Sequence, residues 1–263
     1  MGDRSADGAV ALITGAGTGI GRVVARRFAA EGHKVVLAAR RPDPLAQTAS
    51  VVADDGGTAW VRPADLRSED DCRCLVAETV ERFGRLDILV NNAASPGRDQ
   101  TVAEMDLANW NDTIATDLTA PMVLSREALV QAMIPAGSGN IQFFSSAAAK
   151  AVVARKAHYS VAKMGLLPLA RTMAMEVGPL GIRVNTLVIG TVDGELVDGY
   201  AQRMAAERDV PTEQIKASLA SGTALGRLVD PAEVAEVSLW LASPVSSAIT
   251  GQDLNVTAGD EKR

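Results

Sequence analysis

The chain has 263 residues, 47% of them apolar and 22% charged, which is an ordinary globular composition for one large domain or two small ones. A formal net charge of -6 argues against nucleic acid as the main partner, because a phosphate-binding surface needs a basic excess. The opening MGDRSADGAV has neither the basic start nor the apolar stretch of a secretory signal, and no apolar run reaches the roughly 20 residues that span a bilayer. No membrane partner is expected, and a cytoplasmic location is.

Taken in chain order, short apolar runs alternate with longer amphipathic stretches. AVALIT (9–14) reads as a strand. A glycine-rich turn follows it and leads into a helical pattern over 21–32. KVVLAA (34–39), TAWVRP (58–63), LDILVN (86–91), NIQFFS (140–145), IRVNTLVI (182–189) and DLNV (253–256) are the other predicted strands. Several are continuously apolar, as strands buried on both faces are. Between them a helix is predicted over 74–84, in a stretch holding Cys72 and Cys74. Cysteines two apart on a helix point to different faces, so reduced thiols are expected there, not a disulfide or a shared metal. Only two histidines are present, His33 and His158, and no cluster has metal-ligand spacing, so no metal is expected. A helix is also predicted over 231–243, with Asp230 as N-cap, Pro231 at the first position and Glu233 at the third. With no linker or repeat, the pattern predicts an α/β chain. The whole of 1–263 would be a single Rossmann-type, doubly wound domain with a parallel seven-stranded sheet and helices on both faces. Residues 191–226 break the rhythm and form a candidate substrate lid.

The turn after the first strand is TGAGTGIG (14–21). Glycines there allow a tight turn and close approach of a phosphate, and the helix start offers free N–H groups to the anion. The second strand ends in Ala38-Ala39-Arg40-Arg41, with no acid before Asp43. A carboxylate at this place would bind a ribose 2′-hydroxyl; Arg40 can instead grip a 2′-phosphate, so NADP(H) is favoured over NAD(H).

Tyr159 and Lys163 are four apart at the start of an apolar helical stretch, and so lie on one face. An ammonium beside a phenol favours the phenolate, which suits the phenol to proton exchange with a carbinol oxygen. Ser145 and Ser146 follow the strand NIQFF, at the carboxyl end where ligands sit in open parallel sheets. The plainer reading of that pair is a cap or turn.

These pieces, with Asp65-Leu66, Asn91-Asn92-Ala93-Ala94, GIRVN (181–185), GRLVDPAEVAE (226–236) and TGQDLNV (250–256), resemble the short-chain dehydrogenase/reductase family over roughly 8–259. The resemblance implies that Gly15, Thr18, Gly19, Ile20 and Gly21 bind the pyrophosphate and adenosine side. It implies that Asp65 and Leu66 contact the adenine, and that Asn91 and Ala93 line the central channel. Ser146 orients the substrate, Tyr159 is the acid/base, and Lys163 also holds the nicotinamide ribose. A homotetramer or homodimer is implied as well. Three positions depart from the pattern. Asp117 stands where the family has an Asn that holds a relay water near the Lys. It can accept the same hydrogen bond, but its charge weakens the help that Lys163 gives to Tyr159. Ile189 replaces a Pro beside the nicotinamide, and the Thr expected beyond Gly190 is missing at its offset, with Thr191 as a substitute. Ala258 and Thr257 alter the closing segment. The expected activity is NADP(H)-dependent interconversion of a carbonyl and a secondary alcohol on a small-molecule substrate. Reduction of a carbon–carbon double bond is a weaker alternative, because related enoyl reductases space their Tyr and Lys more widely. A second class stays open: a cofactor-binding protein of this fold with little catalysis, acting as sensor or interaction partner.

Overall fold

The computed structural model describes residues 8–151 and 153–260. The reading of MGDRSADGAV therefore falls largely outside the described residues. β1 (Val10–Thr14), α1 (Gly19–Ala30), β2 (Lys34–Ala39), α2 (Pro42–Asp54), β3 (Thr58–Pro63), α3 (Glu69–Phe83) and β4 (Ile88–Asn91) alternate without interruption. A long helical run then holds α4 (Leu107–Ile114), α5 (Ala120–Ala128) and α6 (Ile134–Ala136), separated by π-turns at Ala115–Thr119 and Leu129–Met133. β5 (Gly139–Ser146), α7 (Ala157–Val177), β6 (Ile182–Ile189), α8 (Glu195–Arg208), α9 (Thr212–Ser221), α10 (Pro231–Ala242) and β7 (Asp253–Val256) complete the described chain.

The described residues form one seven-stranded sheet in the order β3-β2-β1-β4-β5-β6-β7, parallel throughout. This is the Rossmann-type arrangement that the alternation predicts. β1 is buried at every position because both its faces are covered. Leu12 packs with Leu75 of α3, Leu124 of α5 and Leu166 of α7. Its neighbour Ile13 points the other way and joins Val24 and Phe28 of α1, Leu45 of α2 and Leu239 of α10. Every one of these side chains is nearly or wholly removed from water, each worth about 1.5–3 kcal/mol of burial free energy.

The predicted elements are present, with shifted ends. α3 starts five residues before the predicted 74, at Glu69, because the Ser68 hydroxyl caps it by accepting the Asp71 N–H at 3.1 Å. Cys72 is buried and Cys74 exposed on that helix, both as free thiols. α10 has the start the sequence promised: the Asp230 carboxylate accepts the Ala232 N–H at 2.8 Å, and Glu233 reaches back to the Asp230 N–H at 3.0 Å. The π-turns were not predicted. Each is closed by an N–H reaching five residues back, Ala120 to Ala115 and Ile134 to Leu129. A proline follows at once in both cases, Pro121 and Pro135, and has no N–H with which to restore the regular ladder.

Candidate active site

The sheet order reverses between β1 and β4, which opens a crevice at the carboxyl ends of those strands. The glycine turn lies there. Gly15 has φ +66°, and a Cβ on Gly21 would stand 2.3 Å from the Gly15 carbonyl oxygen, so the turn and the helix start can close only on glycine. The turn is tied from behind. Asn92 Nδ2 donates to the Thr14 carbonyl at 2.7 Å, Thr48 Oγ1 to the Ala16 carbonyl at 3.0 Å and Arg22 to the Gly17 carbonyl at 2.6 Å. Thr14 Oγ1 in turn accepts the N–H groups of Asn92 and Ala93, each at 3.0 Å. At the front, Thr18 makes no side-chain cap to α1, and the first turn of α1 carries no acid. A Cβ on Gly19 would meet nothing within 4 Å. The residues present therefore fit a nucleotide pyrophosphate: uncapped N–H groups, a favourable helix dipole and an open cradle.

Arg40 is exposed at the end of β2. Across from it, Asp65 is engaged by Arg67, whose Nη2 lies 2.6 Å from Oδ2; that ion pair holds the Asp65 carboxyl at about 2. Leu66 packs into the core. The Asn91 side chain turns toward α5, where Nδ2 donates to Ser125 Oγ at 3.3 Å, and its Oδ1 is buried without a partner. Ala93 is half-buried beside it.

The predicted Tyr–Lys pair comes together. Lys163 Nζ is 5.7 Å from the Tyr159 ring centroid and donates to the Phe144 carbonyl at 3.0 Å. Ser145 is not free for substrate. Its hydroxyl is buried and donates to the Lys163 carbonyl at 2.8 Å, so two bonds join α7 to the end of β5. Ser146 ends β5, level with Ile189 on β6. Its Oγ accepts the Ala148 N–H at 3.2 Å, as a cap does, and its proton remains free to donate outward. His158 lies buried, with Nε2 3.1 Å from the Pro96 carbonyl. Ile189 is buried at the end of β6, and Thr191 spends its carbonyl on the Val229 N–H at 3.0 Å.

Asp117 sits on the first π-turn with no exposure to water. Its Oδ1 accepts the Ser95 N–H at 2.6 Å, and its Oδ2 is 3.4 Å from Lys163 Nζ. Burial pushes this carboxyl up, against the downward pull of the Lys163 ammonium and the Ser95 N–H. Four contributors to the site were not found by sequence reasoning: Thr14, Thr48, Asn92 and Ser95. Thr14 and Asn92 lay inside recognised motifs without an assigned role, and Thr48 and Ser95 act through bonds in which one partner is main chain and which leave no local spacing. The candidate lid is two helices, α8 and α9, with a small apolar cluster of their own around Ala201, Ala205 and Ile215.

Comparison with known proteins agrees with this geometry. The sequence profile of a family described as enoyl-(acyl carrier protein) reductase matches residues 15–260. A Streptomyces coelicolor protein carrying the name ketoacyl reductase is 35% identical over 254 residues, covering 96% of this chain and 97% of that protein. The crystal structure of a variant actinorhodin polyketide ketoreductase with NADPH superposes with a TM-score of 0.92 at 34% identity, covering 98% of both chains. An NAD+-bound xylitol dehydrogenase gives a TM-score of 0.89 at 25% identity, over 97% of this chain and 100% of that one. The chain belongs to the short-chain dehydrogenase/reductase family, and so to the NAD(P)-dependent oxidoreductases that act on CH–OH groups.

Proposed function

We propose that this enzyme interconverts a carbonyl and a secondary alcohol, with Tyr159 handling the proton and NADP(H) favoured over NAD(H). The observation that carries the reading is the Lys163 ammonium held beside the Tyr159 ring by Phe144 and Asp117, at the strand end that presents Ser146. A nicotinamide supplies or accepts the hydride when bound. In the reductive direction the Tyr159 hydroxyl gives its proton to the carbonyl oxygen. Ser146, whose lone pair is taken by Ala148, donates its own proton to the same oxygen and orients it. Lys163 stabilises the phenolate left on Tyr159. Arg40 supports the preference for a 2′-phosphate. The names of two similar proteins, a ketoacyl reductase and a polyketide ketoreductase, favour a ketoacyl substrate. Val161, Met164 and Met175 are exposed along α7 and support assembly into a homodimer or homotetramer, which light scattering on the purified protein reads directly.

The central test is Tyr159→Phe, followed by nicotinamide absorbance against a panel of ketones and ketoacyl thioesters. Turnover is expected to fall by about 10²–10⁴-fold, with NADPH affinity nearly unchanged. Near-normal turnover in the variant removes Tyr159 from the role. If the unmodified protein binds NADPH but turns over nothing in the panel, the sensor reading is the better one.

A further inference from the structure

Asp117 is an acid, fully buried, and in direct contact with the one side chain that tunes Tyr159. Two anchors fix its place. The Ser95 N–H needs an acceptor oxygen at Oδ1, and the Lys163 ammonium faces Oδ2 with no hydrogen-bond donor of another residue there. Lys163 can direct one proton to Phe144 and one toward Asp117. The pair therefore rests as carboxylate and ammonium. An ammonium alone acts on its surroundings as a single positive charge. Paired with a carboxylate it becomes a dipole, whose effect falls off faster with distance. Tyr159, one helical turn before Lys163 on α7 and with its ring centroid 5.7 Å from Nζ, feels the reduced field.

We propose that Asp117 is a positioning residue which neutralises Lys163 in part, and so sets the pH at which Tyr159 releases its proton, extending carbonyl reduction to higher pH. The proposal rests on the reading of Tyr159 as proton donor. The other charges around the pair do not substitute for Asp117. From α4, Asp112 is engaged by Arg67 at 2.6 Å. On α5, Arg126 pairs with Glu127 and Glu69 at the outer surface. On α7, His158 turns to the Pro96 carbonyl, and Lys156, just before the helix, pairs with Asp99. β5 brings only main-chain and hydroxyl groups to the site. The raised Asp117 carboxyl agrees with its burial and leaves the ion pair as its main stabiliser.

The experiment compares pH profiles of kcat/KM for reduction and for oxidation in the wild-type enzyme, Asp117→Asn and Asp117→Glu, with Tyr159→Phe as control. In Asp117→Asn the alkaline limb of reduction is expected to move down by roughly half to one pH unit. Reduction above the limb then falls about 3- to 10-fold relative to wild type. The rising limb of oxidation is expected to move in the same direction, because both limbs report the Tyr159 proton. Asp117→Glu, which keeps the charge, restores the limb. A purely structural role would lower the plateau and leave the limbs in place. Unmoved limbs in Asp117→Asn, with Tyr159→Phe inactive, overturn the proposal while leaving the proton donor intact. Turnover surviving in Tyr159→Phe overturns that underlying reading instead. Should Asp117→Asn fail to fold, Asp117→Ser, neutral and smaller, must show the same downward movement, and unmoved limbs there count equally against the proposal.

Discussion

Arg40 is a long, exposed cation at the end of β2, and the first acid after it, Asp43, is already inside α2. A phosphate at that point meets a guanidinium where a ribose hydroxyl would need a carboxylate. Arg40→Asp is expected to lower the ratio of kcat/KM for NADPH to that for NADH by about 10- to 100-fold, the worth of a charge-assisted hydrogen bond. Parallel steady-state assays with the two cofactors give the ratio, and an unchanged ratio rejects Arg40 as its source. At this scale much of the candidate site's geometry was legible. Tyr159 and Lys163 share a helix face because they are four apart, and nothing else in the fold had to be known. Asp117 was visible only as a departure from a family pattern. Its contact with Ser95 joins residues 22 apart through a main-chain N–H, and main-chain donors carry no sequence signal.

The start of α10 shows what a local signal can do. Glu233 serves two partners, the Arg227 guanidinium at 2.6 Å and the Asp230 N–H, and these hold its carboxyl down to about 2 from 4.5. A carboxyl depressed on folding adds stability above its unfolded value and loses it as pH falls through the folded one. Glu233→Gln keeps an acceptor for the Asp230 N–H but drops the charge. Its thermal midpoint should therefore fall below wild type at neutral pH, and the gap should close between pH 4.5 and about 2. The gap is on the order of one degree, since the pair is open to solvent. A gap that widens in acid rejects the assignment. The run from Leu107 to Ala136 was harder to read. Each π-turn inserts one residue, so apolar positions before and after it fall out of phase, and a single 3.6-residue period cannot be laid through the run.

Across the molecule, parallel β-α alternation was legible because strands such as β1 and β2 are short, largely apolar runs bounded by amphipathic helices. The candidate lid stood out in the sequence only as a break in that rhythm. α8 and α9 pack Ala201, Ala205 and Ile215 against each other and leave Leu196 84% exposed and Tyr200 38% exposed. An element that keeps its own small core can be exchanged without unfolding the sheet. Replacing 195–221 by a short glycine–serine linker should raise KM for a bulky ketone roughly tenfold, the worth of one lost apolar contact, and leave NADPH affinity unchanged. Fluorescence titration with NADPH and initial-rate kinetics separate the two effects, and a parallel loss of both would place the helices in cofactor binding. The bonds from Thr14 and Asn92 across β1 and β4 carry one more consequence. They bolt the floor of the crevice. Little conformational entropy then remains to be lost when a nucleotide arrives, so its contact energy goes into affinity instead of into ordering the protein.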